Sequence, residues 1–189
     1  MSVIDLARAE VRALKPYSSA RMEASGGRVF LNANESPWPP PGEAGATLHR
    51  YPEPQPPALV RALAALYGVT PEQVLVGRGS DEAIDLLVRA FCRPGVDAVA
   101  ICPPTFGMYA VAAGIQGARL VEVPLTEAFT LDADALLARV DATTRLVFLC
   151  SPNNPTGGLT PLAQIERVAA ALDGRALLVV DEAYGEFAD

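Results

Sequence analysis

The chain has 189 residues, half of them hydrophobic and 20% charged, with a formal net charge of −7. That is enough to bury the core of one α/β domain, and too apolar for a disordered tail. The acidic balance argues against nucleic acid or anionic membrane as a general partner, and no apolar run approaches the roughly 20 residues that span a bilayer.

Residues 2–14 predict a helix, with Val3, Leu6, Val11 and Leu14 on one face. Asp5, Arg8, Glu10, Arg12 and Lys15 leave no room there for the apolar heart of a signal peptide, so the expected location is the cytoplasm. From Asn32 to Pro57 proline recurs too often for a regular helix or a central strand. A stretch that long without its own structure is either functional or a linker. A helix over 58–67 follows, stopped by Gly68. Beyond it, apolar runs at 74–76, 98–102, 120–123, 146–150 and 177–180 predict strands. Helical stretches at 81–91, 108–113, 132–139 and 162–171 fall between them. Such alternation predicts an α/β fold with a mainly parallel sheet and right-handed crossovers.

Cys92, Cys102 and Cys150 sit inside apolar segments at no metal-ligand spacing, and read as buried free thiols. His49 is the only histidine, so neither a metal site nor a Ser-His-Asp triad is expected. Lys15 is the only lysine.

The chemistry gathers where strands end. The run Leu177–Val180 does not alternate, as in a strand buried on both faces, and it finishes on Asp181. Ligands of α/β sheets lie beyond the carboxyl ends of the strands. A carboxylate buried there needs a partner, and a protonated ring nitrogen of a cofactor would serve; a turn-capping Asp is the plainer alternative. Tyr184, three residues on, faces the same ligand if the strand turns into helix. Gly77-Arg78-Gly79-Ser80-Asp81-Glu82 is either a tight turn with Ser80 or Asp81 as N-cap, or a phosphate cradle at a helix start. It is neither a dinucleotide fingerprint, since Glu82 stands where the third glycine belongs, nor a P-loop. Phe106 leaves a strand end just before a helix, where its face could stack on a flat ring or simply join the core. In Ser151-Pro152-Asn153-Asn154-Pro155-Thr156-Gly157 two prolines bracket paired asparagines, and we read a functional loop ahead of a surface turn. Tyr51 in Arg50-Tyr51-Pro52 and Asn34 in Asn32-Ala33-Asn34-Glu35 also fit packing and an Asx turn.

In this order the motifs resemble the fold-type I pyridoxal-phosphate aminotransferases, nearest to the histidinol-phosphate branch. The stretches that carry the resemblance also include Leu14-Lys15-Pro16-Tyr17 and Pro104-Thr105-Phe106-Gly107-Met108-Tyr109, and together they cover essentially the whole chain. The resemblance implies a three-layer sandwich, the large domain of that fold, incomplete at the C-terminus. Residues 1–57 would form an N-terminal arm and proline-rich loop, and 58–189 the cofactor-binding domain. It implies pyridoxal 5′-phosphate as cofactor, with Asp181 on the pyridinium nitrogen and Asn154 and Tyr184 on the ring's 3′ oxygen. Phe106 would stack on the ring, where many relatives have tyrosine. Gly79, Ser80 and Asp81 would hold the phosphate, and Tyr51 would reach across a homodimer. Tyr17, Asn34 and Asn154 would line the substrate pocket. The implied partners are an amino donor, histidinol phosphate, and a 2-oxo acid, 2-oxoglutarate; neither nucleic acid nor membrane is implied.

One departure is large: the family's Schiff-base lysine follows the Asp-x-x-Tyr strand, and Lys15 does not match it. The expectation is therefore an N-terminal portion that does not turn over by itself, with the 74–76 strand short of neighbours and 177–180 an open apolar edge. Competing readings are an aromatic amino-acid aminotransferase, a decarboxylase of a phosphorylated amino acid, a non-catalytic ligand-binding fragment, and a nucleotide-binding α/β module. The missing third glycine and P-loop lysine disfavour the last.

Overall fold

The computed structural model describes residues 2–18, 22, 29, 31–42 and 48–188. Parts of the N-terminal arm (19–21, 23–28, 30) and 43–47 of the proline-rich segment lie outside the described residues. The chain divides into two compact units, one made of residues 1–14 with 77–189 and the other of 15–76.

The first unit is built on four parallel strands: β1 (Ala98–Ile101), β2 (Arg119–Glu122), β3 (Thr144–Cys150) and β4 (Leu177–Asp181), in the order β2-β1-β3-β4. Every residue of β1 is buried, as an unalternating apolar run in a two-sided sheet requires. Its helices are α1 (Val3–Leu6), α2 (Ala9–Arg12), α4 (Ser80–Phe91), α5 (Met108–Gln116), α6 (Ala133–Arg139) and α7 (Leu162–Leu172); α3 (Pro57–Tyr67) belongs to the other unit. Ile84, Val88, Tyr109, Ala112 and Ala113 of α4 and α5 pack with Val99, Ile101, Leu146 and Phe148 on one face of the sheet. Leu136, Val168 and Leu172 of α6 and α7 pack with Ala98, Ala100, Val147 and Leu149 on the other. The result is a three-layer α/β sandwich. In register, Leu146 to Cys150 of β3 face Leu177 to Asp181 of β4, so Cys150 stands opposite Asp181 at the carboxyl edge.

Two expectations need correcting. Residues 2–14 do not form one helix, because Arg8 takes an extended conformation (ψ 141°) between α1 and α2. Its N–H donates to the Ala90 carbonyl and its guanidinium to the Arg89 carbonyl, so capping the end of α4 replaces continuing the helix. Residues 74–76 form no strand. The Val76 N–H donates to Gln55 Oε1 at 2.7 Å, and Gln55 Nε2 donates to the Val76 carbonyl at 3.0 Å. A side-chain amide thus satisfies the groups that a ladder would use, and Leu75 is left exposed.

The amino edge of the sheet is fastened by Asp97, which is 1% exposed. It accepts from the Arg93 N–H and Nε at 2.8 Å each, from Arg93 Nη2 at 2.9 Å and from Arg145 Nε at 3.3 Å. Burial pushes the carboxyl upward, but the two arginines outweigh it and hold it at about 2. The three cysteines are free and buried, and burial pushes the thiols of Cys92 and Cys102 up to about 12, far from reactive thiolates. Among the described residues no helix is long and apolar enough to cross a membrane.

Candidate functional site at the carboxyl edge of the sheet

Helix α4 runs back toward the amino edge, where its last turn meets Arg8, so its first turn lies toward the carboxyl edge. There Gly79 takes φ +93°, a conformation costly for other residues, and among the described residues no side chain caps the helix. The first N–H groups of this 12-residue helix are therefore free of a local acceptor. Glu82 is turned away from them, since it accepts from the Arg78 N–H at 2.7 Å and from its guanidinium at 2.6 and 3.0 Å. Those bonds from Arg78 hold the Glu82 carboxyl below its usual range.

The loop after β1 and the loop after β3 are stitched together by Asn153. Its Oδ1 accepts from Thr105 Oγ1 at 2.9 Å, and its Nδ2 donates to the Pro104 carbonyl at 2.9 Å and to Thr156 Oγ1 at 2.8 Å. The amide of Asn153 is thus fully used inside the protein. Asn154 is placed differently: its backbone N–H meets Cys150 Sγ at 3.4 Å, and its side chain makes no hydrogen bond among the described residues. Asn154 and Tyr184 line one cleft of about 470 Å³, together with Pro152, Leu159 and Phe187. Asp181, Phe106 and the start of α4 do not line that cleft.

Asp181 ends β4 and is 9% exposed. Its Oδ2 accepts from the Tyr109 hydroxyl at 2.8 Å and its Oδ1 from the Ala183 N–H at 3.1 Å. Both donors are neutral, and among the described residues no arginine, lysine or histidine pairs with it. A buried anion held only by neutral donors still has lone pairs for a cationic N–H. Phe106 meets Tyr109 edge-on, with ring centroids 5.7 Å apart, and Tyr109 stacks flat on Phe148 at 4.8 Å. Burial, then the bond to Asp181, pushes the Tyr109 phenol upward, so the hydroxyl keeps its proton and remains a donor.

Seven of the ten sequence-predicted residues (Gly79, Ser80, Asp81, Phe106, Asn154, Asp181 and Tyr184) lie in the unit that carries the sheet, and Tyr17, Asn34 and Tyr51 lie in the other. In that second unit Tyr17 is exposed, and Asn34 takes φ +51°, a region that asparagine tolerates. Glu35 accepts from the Tyr51 N–H at 2.7 Å and from Arg50 Nη1 at 2.9 Å, tying the two motifs of that unit together. Tyr109 and Glu35 were not singled out from the sequence, and Asn153, read there as one of two amides aimed into the crevice, instead spends its amide on Thr105, Pro104 and Thr156. Tyr109 had a signal, since it falls three residues after Phe106 on the face that also carries Ala112 and Ala113.

The family profile Aminotransferase class I and II matches residues 29–189. Over 192 aligned positions the chain is 58% identical to a histidinol-phosphate aminotransferase of Xanthomonas euvesicatoria pv. vesicatoria (strain 85-10). It is 56% identical to one of Xylella fastidiosa (strain 9a5c). Each alignment covers all of this chain and 53% of the relative, so the chain spans about half the length of the curated relatives it matches. Among solved structures it is similar to histidinol-phosphate aminotransferase from Sinorhizobium meliloti in complex with pyridoxal-5′-phosphate. The TM-score is 0.69 at 33% identity, over 74% of this chain and 38% of that one.

Proposed function

We propose that this chain, which belongs to the class I and II aminotransferase family, supplies the cofactor-binding part of a histidinol-phosphate aminotransferase. Such an enzyme moves the amino group of histidinol phosphate to 2-oxoglutarate, giving imidazole-acetol phosphate and glutamate. The observation that carries the reading is Asp181: a carboxylate buried at a strand's carboxyl end and, among the described residues, bonded to neutral donors alone.

Pyridoxal 5′-phosphate, when bound, supplies an electron sink for the carbanion left as the donor's α-proton departs. The chain's own residues bind and orient. Asp181 would hold the ring nitrogen and favour its protonated form, and the amide of Asn154 and the phenol of Tyr184 would donate to the ring's 3′ oxygen. Phe106 would stack on the ring face. The free N–H groups at Gly79, Ser80 and Asp81 take the phosphate at the positive end of α4. Tyr51 completes the phosphate site across a homodimer, and Tyr17 and Asn34 line the substrate pocket. In this reading residues 58–189 make the cofactor-binding domain, residues 1–57 make its arm, and the protein works in the cytoplasm. The proton-moving lysine is not supplied by these residues, because the sole lysine, Lys15, does not match the family's lysine by motif.

The test is glutamate formation from histidinol phosphate and 2-oxoglutarate by the protein that contains this chain, against its Asp181→Ala variant. Loss of turnover in the variant is expected. Near-normal turnover would overturn the proposal.

A further inference from the structure

We infer that Tyr109 is a positioning residue that fixes Asp181 and Phe106 in one rigid assembly, and so keeps a bound ring nitrogen protonated. The inference rests on the proposed function, because it deepens the role given there to Asp181. Three contacts meet on this one side chain. Its hydroxyl donates to Asp181 Oδ2 at 2.8 Å, its edge or face meets Phe106 at 86°, and its ring lies within 9° of parallel to Phe148. Tyr109 itself is 0% exposed, so no water competes for the hydroxyl. Its position follows from the fold: α5 begins just past the carboxyl end of β1, which sets its first turn close to the ends of β3 and β4.

The direction of the effect follows from simple electrostatics. In a carboxylate–pyridine pair the proton rests on nitrogen when the carboxylate is ionised, and on oxygen when the pair is neutral. A donated O–H bond stabilises the ionised form and therefore holds the proton on the ring. Without the hydroxyl, a carboxylate this well buried keeps the Ala183 N–H as its protein donor. The neutral pair then gains ground. Tyr109→Phe removes that one oxygen and preserves the ring that stacks on Phe148.

The experiment loads the chain with pyridoxal 5′-phosphate labelled with ¹⁵N at the ring nitrogen and follows the nitrogen shift with pH. Three proteins are compared: wild type, Tyr109→Phe and Asp181→Asn. Wild type is expected to hold the protonated nitrogen to the highest pH. Tyr109→Phe is expected to lose the proton at lower pH, with about tenfold weaker proton affinity, the scale of one hydrogen bond to a charged group. Asp181→Asn is expected to lose the protonated signal altogether. A Tyr109→Phe curve that overlays wild type while Asp181→Asn loses the signal would overturn the role of Tyr109 alone. An Asp181→Asn curve that overlays wild type would overturn the reading beneath it.

Discussion

Asn153 uses its whole amide inside the protein, on Thr105, Pro104 and Thr156, whereas its neighbour Asn154 leaves its amide free to meet a ligand. Two substitutions therefore separate structure from binding. Asn153→Ala breaks three hydrogen bonds and leaves buried groups unpaired, and is expected to lower the unfolding free energy by about 2–4 kcal/mol. Asn154→Ala is expected to change stability by less than about 0.5 kcal/mol while weakening uptake of pyridoxal phosphate. Urea denaturation reads the first and fluorescence titration the second. The residue pattern by itself does not tell the two apart, because prolines flank both and only the tertiary pairing of two loops decides which amide is consumed; the family resemblance alone picked out Asn154. The place of Asp181 at the end of a strand was legible from the apolar run before it, and the turn-capping alternative is also realised, since its Oδ1 accepts from the Ala183 N–H. Tyr109 was not singled out from the sequence: its bond to a residue 72 positions away in the chain is a product of strand order.

At the scale of elements, α4 is held at both ends by different means. Its start is open and set by Gly79 at φ +93°, with nothing within 4 Å of where a Cβ would stand. Gly79→Ala therefore costs backbone strain and no steric clash, and a loss of about 1–2 kcal/mol in urea unfolding is the expected outcome. Its end is capped by Arg8 and anchored through Arg93 to Asp97. The folded-state carboxyl of Asp97 lies near 2, below the ordinary carboxylate value of about 4. Its contribution is thus fully present above about pH 4 and is lost as pH falls toward 2. Asp97→Asn should unfold more readily at neutral pH and show a smaller fall in urea midpoint across that acid window. An equal fall in both proteins would remove Asp97 as its cause. The break at Arg8 was hidden from the sequence, because helical periodicity over 2–14 says nothing about a distant helix end waiting for a donor. The 74–76 run misled for a related reason: three apolar residues fit a strand only where another strand stands beside them, and here Gln55 took that place.

The whole molecule presents the parallel sheet with β4 at one end of its order, and among the described residues no strand pairs with the outer side of β4. The layering of helices on both faces came only with the family resemblance, while the mainly parallel sheet was legible from alternation, since buried parallel strands and amphipathic crossovers leave distinct periods. Which loops would share contacts was not, because that depends on strand order. With Lys15 as the only lysine, and not the one the family motif calls for, the 189-residue chain is expected to hold pyridoxal phosphate without covalent attachment at the sheet. Borohydride treatment followed by peptide mapping checks this, and a fixed adduct on Lys15 that sustains amino transfer would contradict it. The most direct measurement is a diffraction structure of the chain with pyridoxal 5′-phosphate bound. The expected result is a ring nitrogen within about 3 Å of an Asp181 carboxylate oxygen, at hydrogen-bonding distance. A ring bound elsewhere, with Asp181 still closed on Tyr109 and Ala183 alone, would contradict the assignment at its root.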